Sequence, residues 1–504
     1  MMKSIRYLWA LLIFAAFAGG ALGQSPPGQA ASAADVAELR KQLEALQQAV
    51  TALGQGQPAG AEGTVQALQE QLSALEQKVR VLEREKEIDK EAAAEKAKTT
   101  PVVTANAKDG FQIKSADNAF SLKVGGWINY DVGFFDQDEE LRLGVGDEQD
   151  GTGFRSVRLR LSGTLWNNVY YQTEYEFAGE SGIDTPAFFD TYVALRDIPY
   201  GGDRKGELRI GHFREPFSLE ELTSQPARTF QERSLASALY PSRNAGIQWS
   251  DSLIGPEKLE RLYYAIGVFK TTDNWPSSND SDEDQGYNIT ARVTGLPYYA
   301  YNGEHLVHIG GAYSHRNPDG AVLGWAARPE TRLSLFRYAD TEKFPNFRLR
   351  DARADTVNQY NFEFASVIGP FMAQAEYGWA DVDTTFDNKD TFQGYYAQLS
   401  YLLTGEHRTY RHDSGTFDRI TPKRSFAWGK DGGWGAWEIA ARYSSIDLSD
   451  GGVRGGEHNS WTAGLRWYLN PNTHVTLNYI LNDVEHDHFE GDYESLQLRA
   501  QVAF

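Results

Sequence analysis

The sequence predicts an all-β protein, a 16-stranded antiparallel transmembrane β-barrel that follows a short α-helical coiled coil. Two observations indicate the barrel. Apolar and polar residues alternate with period two across residues 106–504, and turn signals separate the runs. The chain also combines 13% aromatic residues and 48 glycines with a negative mean hydropathy. Such a composition is typical of a membrane barrel, because lipid contacts only one face of each strand.

Composition excludes several other classes of protein. The formal net charge of −20 argues against a general nucleic-acid binder, which needs Lys and Arg to neutralise phosphates. The absence of cysteine excludes disulfide scaffolds, thiolate metal sites, cysteine nucleophiles and lipoprotein acylation. The negative mean hydropathy excludes a bundle of membrane-spanning helices.

Residues 1–23 have the pattern of a signal peptide. Lys3 and Arg6 precede an apolar run over 8–17, and small residues follow it. The sequence therefore predicts export, with a membrane-anchor helix as the alternative. Residues 24–34 are rich in Pro, Gly, Ser and Ala, which predicts a flexible spacer.

Residues 35–98 contain two heptad seams, which predict a periplasmic coiled-coil stalk. The first seam is Leu39, Leu43, Leu46, Val50 and Leu53; the second is Val65, Leu68, Leu72, Leu75, Val79 and Leu82. Residues 54–63 (GQGQPAGAEG) separate them. Seams this short need partner helices for stability, so the stalk is expected to oligomerise. The alternative is a single amphipathic helix packed on the body of the protein.

The barrel domain is predicted over 106–504, and its last strand shows the alternation most clearly. Leu496, Leu498 and Val502 share one face, while Arg499 lies on the other, and the chain stops at Phe504. Sixteen strands are predicted, at 119–135, 153–166, 168–178, 187–197, 205–214, 244–251, 258–270, 285–295, 304–315, 357–368, 370–382, 391–403, 433–447, 458–469, 472–484 and 493–504.

Sixteen strands also predict an open aqueous lumen. Short and long connections mostly alternate, as they do in barrels with periplasmic turns and extracellular loops. The link 404–432 is the exception, because it is long and yet the strand count places it in the periplasm. Either a strand is miscounted there or this turn is unusually large. Aromatic residues near strand ends are expected to form interfacial girdles; they are Trp127, Trp166, Tyr170, Tyr171, Trp461, Trp467 and Tyr468.

Several stretches resemble the phosphate-selective porins of Gram-negative outer membranes. They are 120–130 (FSLKVGGWINY), 154–163 (FRSVRLRLSG), 208–217 (LRIGHFREPF), 218–223 (SLEELT), 230–235 (FQERSL), 241–248 (PSRNAGIQ) and 434–444 (WGAWEIAARYS), together with the terminal Phe504. The resemblance covers roughly 110–504. It implies a homotrimer whose third extracellular loop, here 215–243, folds inward to form the constriction.

The alternation places basic residues on the lumen face. An anion pore needs fixed positive charge, and the planar fork of Arg suits phosphate oxygens. Alternation turns Lys123, Arg158, Arg160 and Arg209 inward, together with Arg292, Arg442, Arg466 and Arg499. The resemblance carries anion-binding roles to Arg155, Arg158, Arg233 and Arg243, and less directly to Arg228.

Three functions remain open at this point. The first is an outer-membrane porin for passive diffusion of small anions, with phosphate or polyphosphate as the leading solute. The second is a general or sugar pore, because Glu215, Glu220, Glu221 and Glu232 are able to neutralise the loop and Phe217 and Phe230 to guide sugars. The third is a structural tether of the envelope through the stalk.

The expected partners follow from the first function. They are the chain itself as a homotrimer, outer-membrane lipid and lipopolysaccharide, small anions, and peptidoglycan as a candidate for the stalk; nucleic acid is excluded. No enzyme is predicted, because no Gly-x-Ser-x-Gly, Walker A or dinucleotide motif occurs, and no cofactor or metal is expected. The acidic stretch around His486 and His488 is interpreted as a solvated outer loop.

Overall fold

A computed structural model describes residues 40–41, 44, 47–48, 62–106, 110–178, 187–254, 260–272, 286–318, 324–341, 354–384, 389–429 and 432–504. The predicted signal peptide and spacer lie outside the described residues and stay predictions. The chain divides into two compact units, Met1–Thr100 and Pro101–Phe504.

The first unit contains a long helix, α1, over Glu62–Thr99. Good helix formers (Ala, Leu, Glu, Lys and Gln) fill most of its length, so its propensity is high. Arg40 pairs with Glu83 at 2.5 Å, and the Gln47 amide donates to Glu76 over 3.2 Å. Because these two pairs run in opposite chain order, Arg40 and Gln47 lie antiparallel to α1 within one chain. The role of this segment as an oligomerising stalk stays a prediction.

In the parts that the structure describes, no helix combines the length and apolarity needed to span a bilayer.

The second unit contains sixteen long strands, as predicted. They are β1 Ser121–Gln137, β2 Gly151–Leu165, β3 Val169–Glu176, β4 Ala187–Gly201, β5 Arg204–Arg214, β6 Arg243–Ile254, β7 Glu260–Lys270, β8 Tyr287–Ala300, β9 His305–Arg316, β10 Ala354–Ile368, β11 Phe371–Thr384, β12 Lys389–Leu402, β13 Ala436–Asp450, β14 Val453–Asn470, β15 Thr473–His486 and β16 Phe489–Ala503. Each pairs antiparallel with the next, and β16 pairs with β1 from Trp127–Ala503 to Gln137–Tyr493, which closes the barrel.

The two faces of the barrel differ in polarity as the alternation predicts. On β16, Leu496, Leu498 and Val502 point outward and are exposed, whereas Gln497 and Arg499 point inward and are buried. An apolar outer face and a polar inner face suit a barrel surrounded by lipid. The polar residues of the inner face therefore contribute to the negative mean hydropathy.

A short hairpin that the sequence analysis missed precedes β1. Its strands are Val102–Asn106 and Gly110–Lys114, and the second pairs with β1 from Ser121 to Val124. The chain terminus continues the same edge, since the backbone N–H and C=O groups of Phe504 and Gly126 bond each other at 2.9 Å. The unit that contains the barrel begins at Pro101. Strands of five residues give too short a pattern for the alternation to reveal.

Three connections fold into the lumen. The constriction loop (215–242) joins β5 to β6, the outer insert (324–341) lies between β9 and β10, and the periplasmic insert (403–429) follows β12. The names outer and periplasmic follow the sides that the strand count predicts for these two connections. The predicted loop boundary was one residue too long, because Arg243 is the first residue of β6. The strand count is correct, so the long link 404–432 is an unusually large turn. It is large because it contributes packing inside the barrel, where Ile420 contacts Leu402 and Tyr468.

Two of the predicted girdle residues instead point into the lumen. The Trp127 indole donates to the Gln225 side chain over 2.9 Å, and the Tyr468 hydroxyl donates to Glu438 over 2.6 Å. The period-two pattern places both residues on the inner face of the barrel. A position near a strand end therefore does not by itself make an aromatic residue part of a girdle. Trp166 and Trp461 are exposed, as girdle residues should be.

The close approach of β1 and β2 makes Gly163 a sensitive position. A Cβ there would lie 1.9 Å from the Ser121 carbonyl oxygen, so Gly163→Ala must separate the strands. We expect a loss of about 1–3 kcal/mol in the free energy of unfolding, measured by urea titration in detergent. Gly201→Ala is the matched control, because no atom lies within 4 Å of its Cβ position. Equal stability of the two variants would contradict this account of the strand contact.

Candidate constriction site

The constriction loop begins with a short helix that is fixed from the barrel wall. The helix spans Leu219–Leu222, and the Ser218 hydroxyl caps it by accepting the Glu221 N–H. The Glu376 carboxylate of β11 accepts the N–H groups of Leu219 and Glu220 over 3.0 and 2.7 Å. These N–H groups would otherwise be unsatisfied at the helix start. Sequence reasoning missed Glu376, since its partner lies more than 150 positions away.

Further along, arginines of the barrel wall and of the periplasmic insert hold the loop backbone. Arg408 donates to the Ala227 carbonyl over 2.6 Å, and Arg442 donates to the Glu232 carbonyl over 3.2 Å. In the same way Arg466 bonds the Arg228 carbonyl, and Arg499 bonds the Gln231 carbonyl over 2.5 Å. Alternation correctly turned three of these arginines inward. Their donors are engaged with the loop, and this engagement limits their contact with a solute.

The same arginines also pair with carboxylates. Arg408 lies 2.7 Å from Glu438, and Arg499 lies 2.7 Å from Asp131. Arg292 on β8 likewise pairs with Glu363 at 2.7 Å, and it donates to two carbonyls of the periplasmic insert. Burial of a charge requires such compensation. This side of the lumen is therefore a network of neutralised ion pairs that holds the constriction loop and the periplasmic insert in place.

A second group of arginines lies on β2, and a β-bulge sets their direction. Pairing shifts between Asn129–Ser156 and Tyr130–Phe154, so Arg155 is the extra residue of the bulge. The bulge lets Arg155 face inward together with Arg158 and Arg160, although simple alternation puts odd and even residues on opposite faces.

Each of these three β2 arginines has a carboxylate partner. Arg155 pairs with Glu232 of the constriction loop at 2.7 Å. Arg158 pairs with Glu176 at 3.1 Å, and the Arg160 Nε donates to Glu174 over 2.5 Å. Arg155 therefore links the β2 row directly to the constriction loop.

The remaining predicted positions are distributed along β1, β5 and β6. Lys123 pairs in register with Ser162 and is half-buried on β1. Arg209 lies 2.8 Å from Glu207, at the entry to β5. Arg243 lies 2.6 Å from Asp190. The structure thus brings Arg243 to the constriction and leaves Arg209 nearer the short-turn end.

The loop arginines differ in how they are paired. Arg233 contacts Glu221, which also bonds Arg214. Arg228 forms no direct ion pair with any residue that the structure describes, and its buried Nε has no hydrogen-bond partner there. Arg228 lines a cavity together with Glu220, Thr223, Ala227, Thr229, Phe230, Glu232, Met372, Gln374, Gln398, Arg408, Phe417 and Arg442. Burial lowers the pKa of Arg228, and the neighbouring Arg214 lowers it further.

Exposure is unequal within the ion pairs. The Arg160 side chain is 34% exposed against 1% for Glu174, and Arg233 is 15% exposed against 1% for Glu221. Arg332 of the outer insert is 27% exposed against 8% for Glu232. Arg243 and Asp190 are an exception, at 3% and 20%. In the other three pairs the arginine is the more exposed partner and the carboxylate is the more buried one.

Glu232 is the carboxylate that joins the two sides of the site. Burial opposes its ionisation, but Arg155 and Arg499 outweigh burial and hold its pKa well below its usual range. A depressed pKa means that the ionised form stabilises the fold above the ordinary Glu pKa. This contribution is lost only when the pH falls through the depressed value.

The loop aromatics do not form a sugar-guiding surface. Phe217 packs against Tyr240 in a buried cluster, and Phe230 lies under the Arg442 guanidinium at 4.5 Å. Both rings are buried. The described residues also contain no group of three or more side chains able to hold a metal ion.

Removing the Glu232 charge should loosen the constriction loop. Glu232→Gln leaves Arg155 and Arg499 without their shared charge, so we expect a loss of about 3 kcal/mol in unfolding free energy. The loop should also become more susceptible to proteolysis. Wild-type protein at pH about 4 should not show this effect, because the pKa of Glu232 is depressed.

Glu304→Gln, at an exposed turn, is the control for the loss of one carboxylate. A Glu232→Gln protein as stable and as protease-resistant as this control would refute the linking role.

The chain is similar to several known proteins. Porin O of Pseudomonas aeruginosa is 25% identical over 437 residues, which are 80% of this chain and 92% of that protein. An uncharacterised protein of Caulobacter vibrioides is 29% identical over 382 residues, 74% of this chain and 70% of its own. The anion-selective porin from Comamonas acidovorans has a TM-score of 0.46 at 14% identity, covering 76% of this chain and 100% of that one.

The sequence profile of one family matches residues 122–504, which are nearly the whole barrel unit. This match confirms the resemblance recognised from the motifs, and it points to an outer-membrane channel rather than an enzyme. The chain belongs to the family of phosphate-selective porins O and P.

Proposed function

We propose that the channel conducts small anions by passive diffusion and prefers them to cations. The unequal exposure within the ion pairs carries this proposal. The side chains of Arg160, Arg233 and Arg332 are more exposed than those of their carboxylate partners, which are buried. A passing ion therefore meets donors before it meets acceptors.

The path runs along the β2 row and the exposed side of the constriction loop. A partly desolvated oxyanion exchanges water for guanidinium donors as it passes Arg160 and Arg233. Pairing with carboxylates keeps each site weak, which permits release as well as entry. Arg228 adds a guanidinium without a direct ion pair in the described residues, beside the cavity.

Phosphate or polyphosphate is the solute that we propose within this class. The support is the name of the family and of the relative Porin O, together with the planar forks of Arg that suit phosphate oxygens. A homotrimer in the outer membrane, in contact with lipid and lipopolysaccharide, is the proposed assembly. The helical segment 35–98 is proposed to stand in the periplasm, with peptidoglycan as its candidate partner.

A general diffusion pore is the second candidate. Asp190 supports it, because its side chain is more exposed than that of its partner Arg243. The burial of Phe217 and Phe230 argues against a sugar-specific version. The tether function has no support from contacts of the described residues.

Reversal potential across a planar bilayer in a salt gradient tests the proposal. Wild type should prefer chloride to potassium, and phosphate should block the chloride current. Replacing Arg160 and Arg233 by Gln should lower the anion preference about twofold to fivefold, since one charge at 4 Å in water is worth about 1 kcal/mol.

Arg204→Gln removes one guanidinium at the exposed start of β5, outside the constriction, and should leave the ratio unchanged. A cation-selective wild type would overturn the anion proposal. An anion-selective wild type that phosphate does not block would overturn the phosphate part alone.

A further inference from the structure

The outer insert delivers a carboxylate into a pocket of the barrel wall. Glu330 accepts hydrogen bonds from the Ser444 and Thr462 hydroxyls, both at 2.6 Å, and it pairs with the Arg442 guanidinium. All four side chains are buried. The acceptor in this pocket therefore comes from the outer insert and not from a neighbouring strand.

The three donors belong to the wall and not to the insert. Arg442 and Ser444 alternate on the inner face of β13, and Thr462 of β14 is the register partner of Arg442. The sheet therefore fixes the pocket whether or not Glu330 is present. A guanidinium flanked by two hydroxyl groups is a suitable receptor for any oxyanion.

Arg442 retains further donor capacity. Its Nη1 bonds the Glu220 carboxylate and the Glu232 carbonyl, both at 3.2 Å, whereas its buried Nε has no partner among the described residues. The cavity described above is lined by Arg442 and also by Arg228. The pocket thus adjoins empty space with a second guanidinium.

The backbone at Glu330 is in an unfavourable conformation. Its φ is 41°, in the left-handed region that costs a residue with a side chain roughly 1–2 kcal/mol. The Glu330 N–H bonds the Arg328 carbonyl over 2.7 Å, which makes the turn tight. The contacts of the carboxylate with the pocket offset this cost, so losing them favours withdrawal of Glu330.

We propose that Arg442, Ser444 and Thr462 form an oxyanion-binding site for which Glu330 is a tethered competitor. A phosphate-like solute enters the site when the Glu330 carboxylate leaves it, and the outer insert is then released from the wall. This inference rests on the proposed function as an anion channel for its physiological solute, but binding at the pocket does not require ion selectivity. If the Glu330 carboxylate only held the outer insert in place, solute anions would not displace it from the pocket.

A single introduced thiol tests the exchange directly. The chain has no cysteine, and Thr331 beside Glu330 is buried, so Thr331→Cys reports withdrawal of the insert. We expect inorganic phosphate to raise the rate of modification by a water-soluble thiol reagent several-fold over chloride at equal ionic strength. Acceleration by acetate as well would extend the ligand class to carboxylates. An unchanged or slower rate in phosphate would overturn the proposal.

Removal of the competitor is the second test. Glu330→Gln keeps the shape and the hydrogen-bond acceptor but removes the charge, so phosphate should block chloride current with an apparent affinity at least about threefold higher. A threefold gain is expected if the Glu330 carboxylate occupies the site in about two-thirds of the molecules. Adding Ser444→Ala and Thr462→Val should cancel the gain.

The two tests separate this site from the proposed function. Equal or weaker block in Glu330→Gln would overturn the competition. Accelerated thiol modification in a channel without anion preference would leave the pocket in place and refute only the anion-channel function.

Discussion

The arrangement of the lumen depends on hydrogen bonds from buried arginines to the backbone of the constriction loop. A loop that crosses the inside of a barrel carries carbonyl groups with no strand partner, and buried carbonyls need donors. Arg442 of β13 and Arg499 of β16 supply such donors, and Arg408 supplies another from the periplasmic insert. The guanidinium is suited to this because one group bonds a carbonyl and a carboxylate together.

This use of arginine separates two populations that look identical in sequence. Arg442 and Arg499 are buried, and their donors serve the loop and its carboxylates. Arg160 and Arg233 are also paired, yet their side chains are more exposed than those of their carboxylate partners. The field that a solute meets depends on which partner of each pair is exposed, and the number of arginines does not determine it.

The period-two pattern was enough to predict the strands, their faces and the inward direction of most arginines, because these depend on local geometry. Partner identity was not predictable. Glu376 meets Leu219 across 157 positions, and Glu330 meets Arg442 across 112. Arg155 faces inward only because of a bulge, which shifts the register without a distinct sequence signal. The outer insert lies in a long connection, where no periodicity reports whether a segment folds inward.

The acidic total of the chain is compatible with a cationic path for a related reason. Glu220, Glu221 and Glu232 enter the lumen on the constriction loop, and Glu330 enters on the outer insert. Strand carboxylates such as Glu174, Glu176 and Glu363 are likewise buried against arginines. Arg442, which pairs with both Glu220 and Glu330, is held by the sheet on β13. Displacement of either segment would therefore remove a carboxylate from Arg442 and raise the positive potential around it.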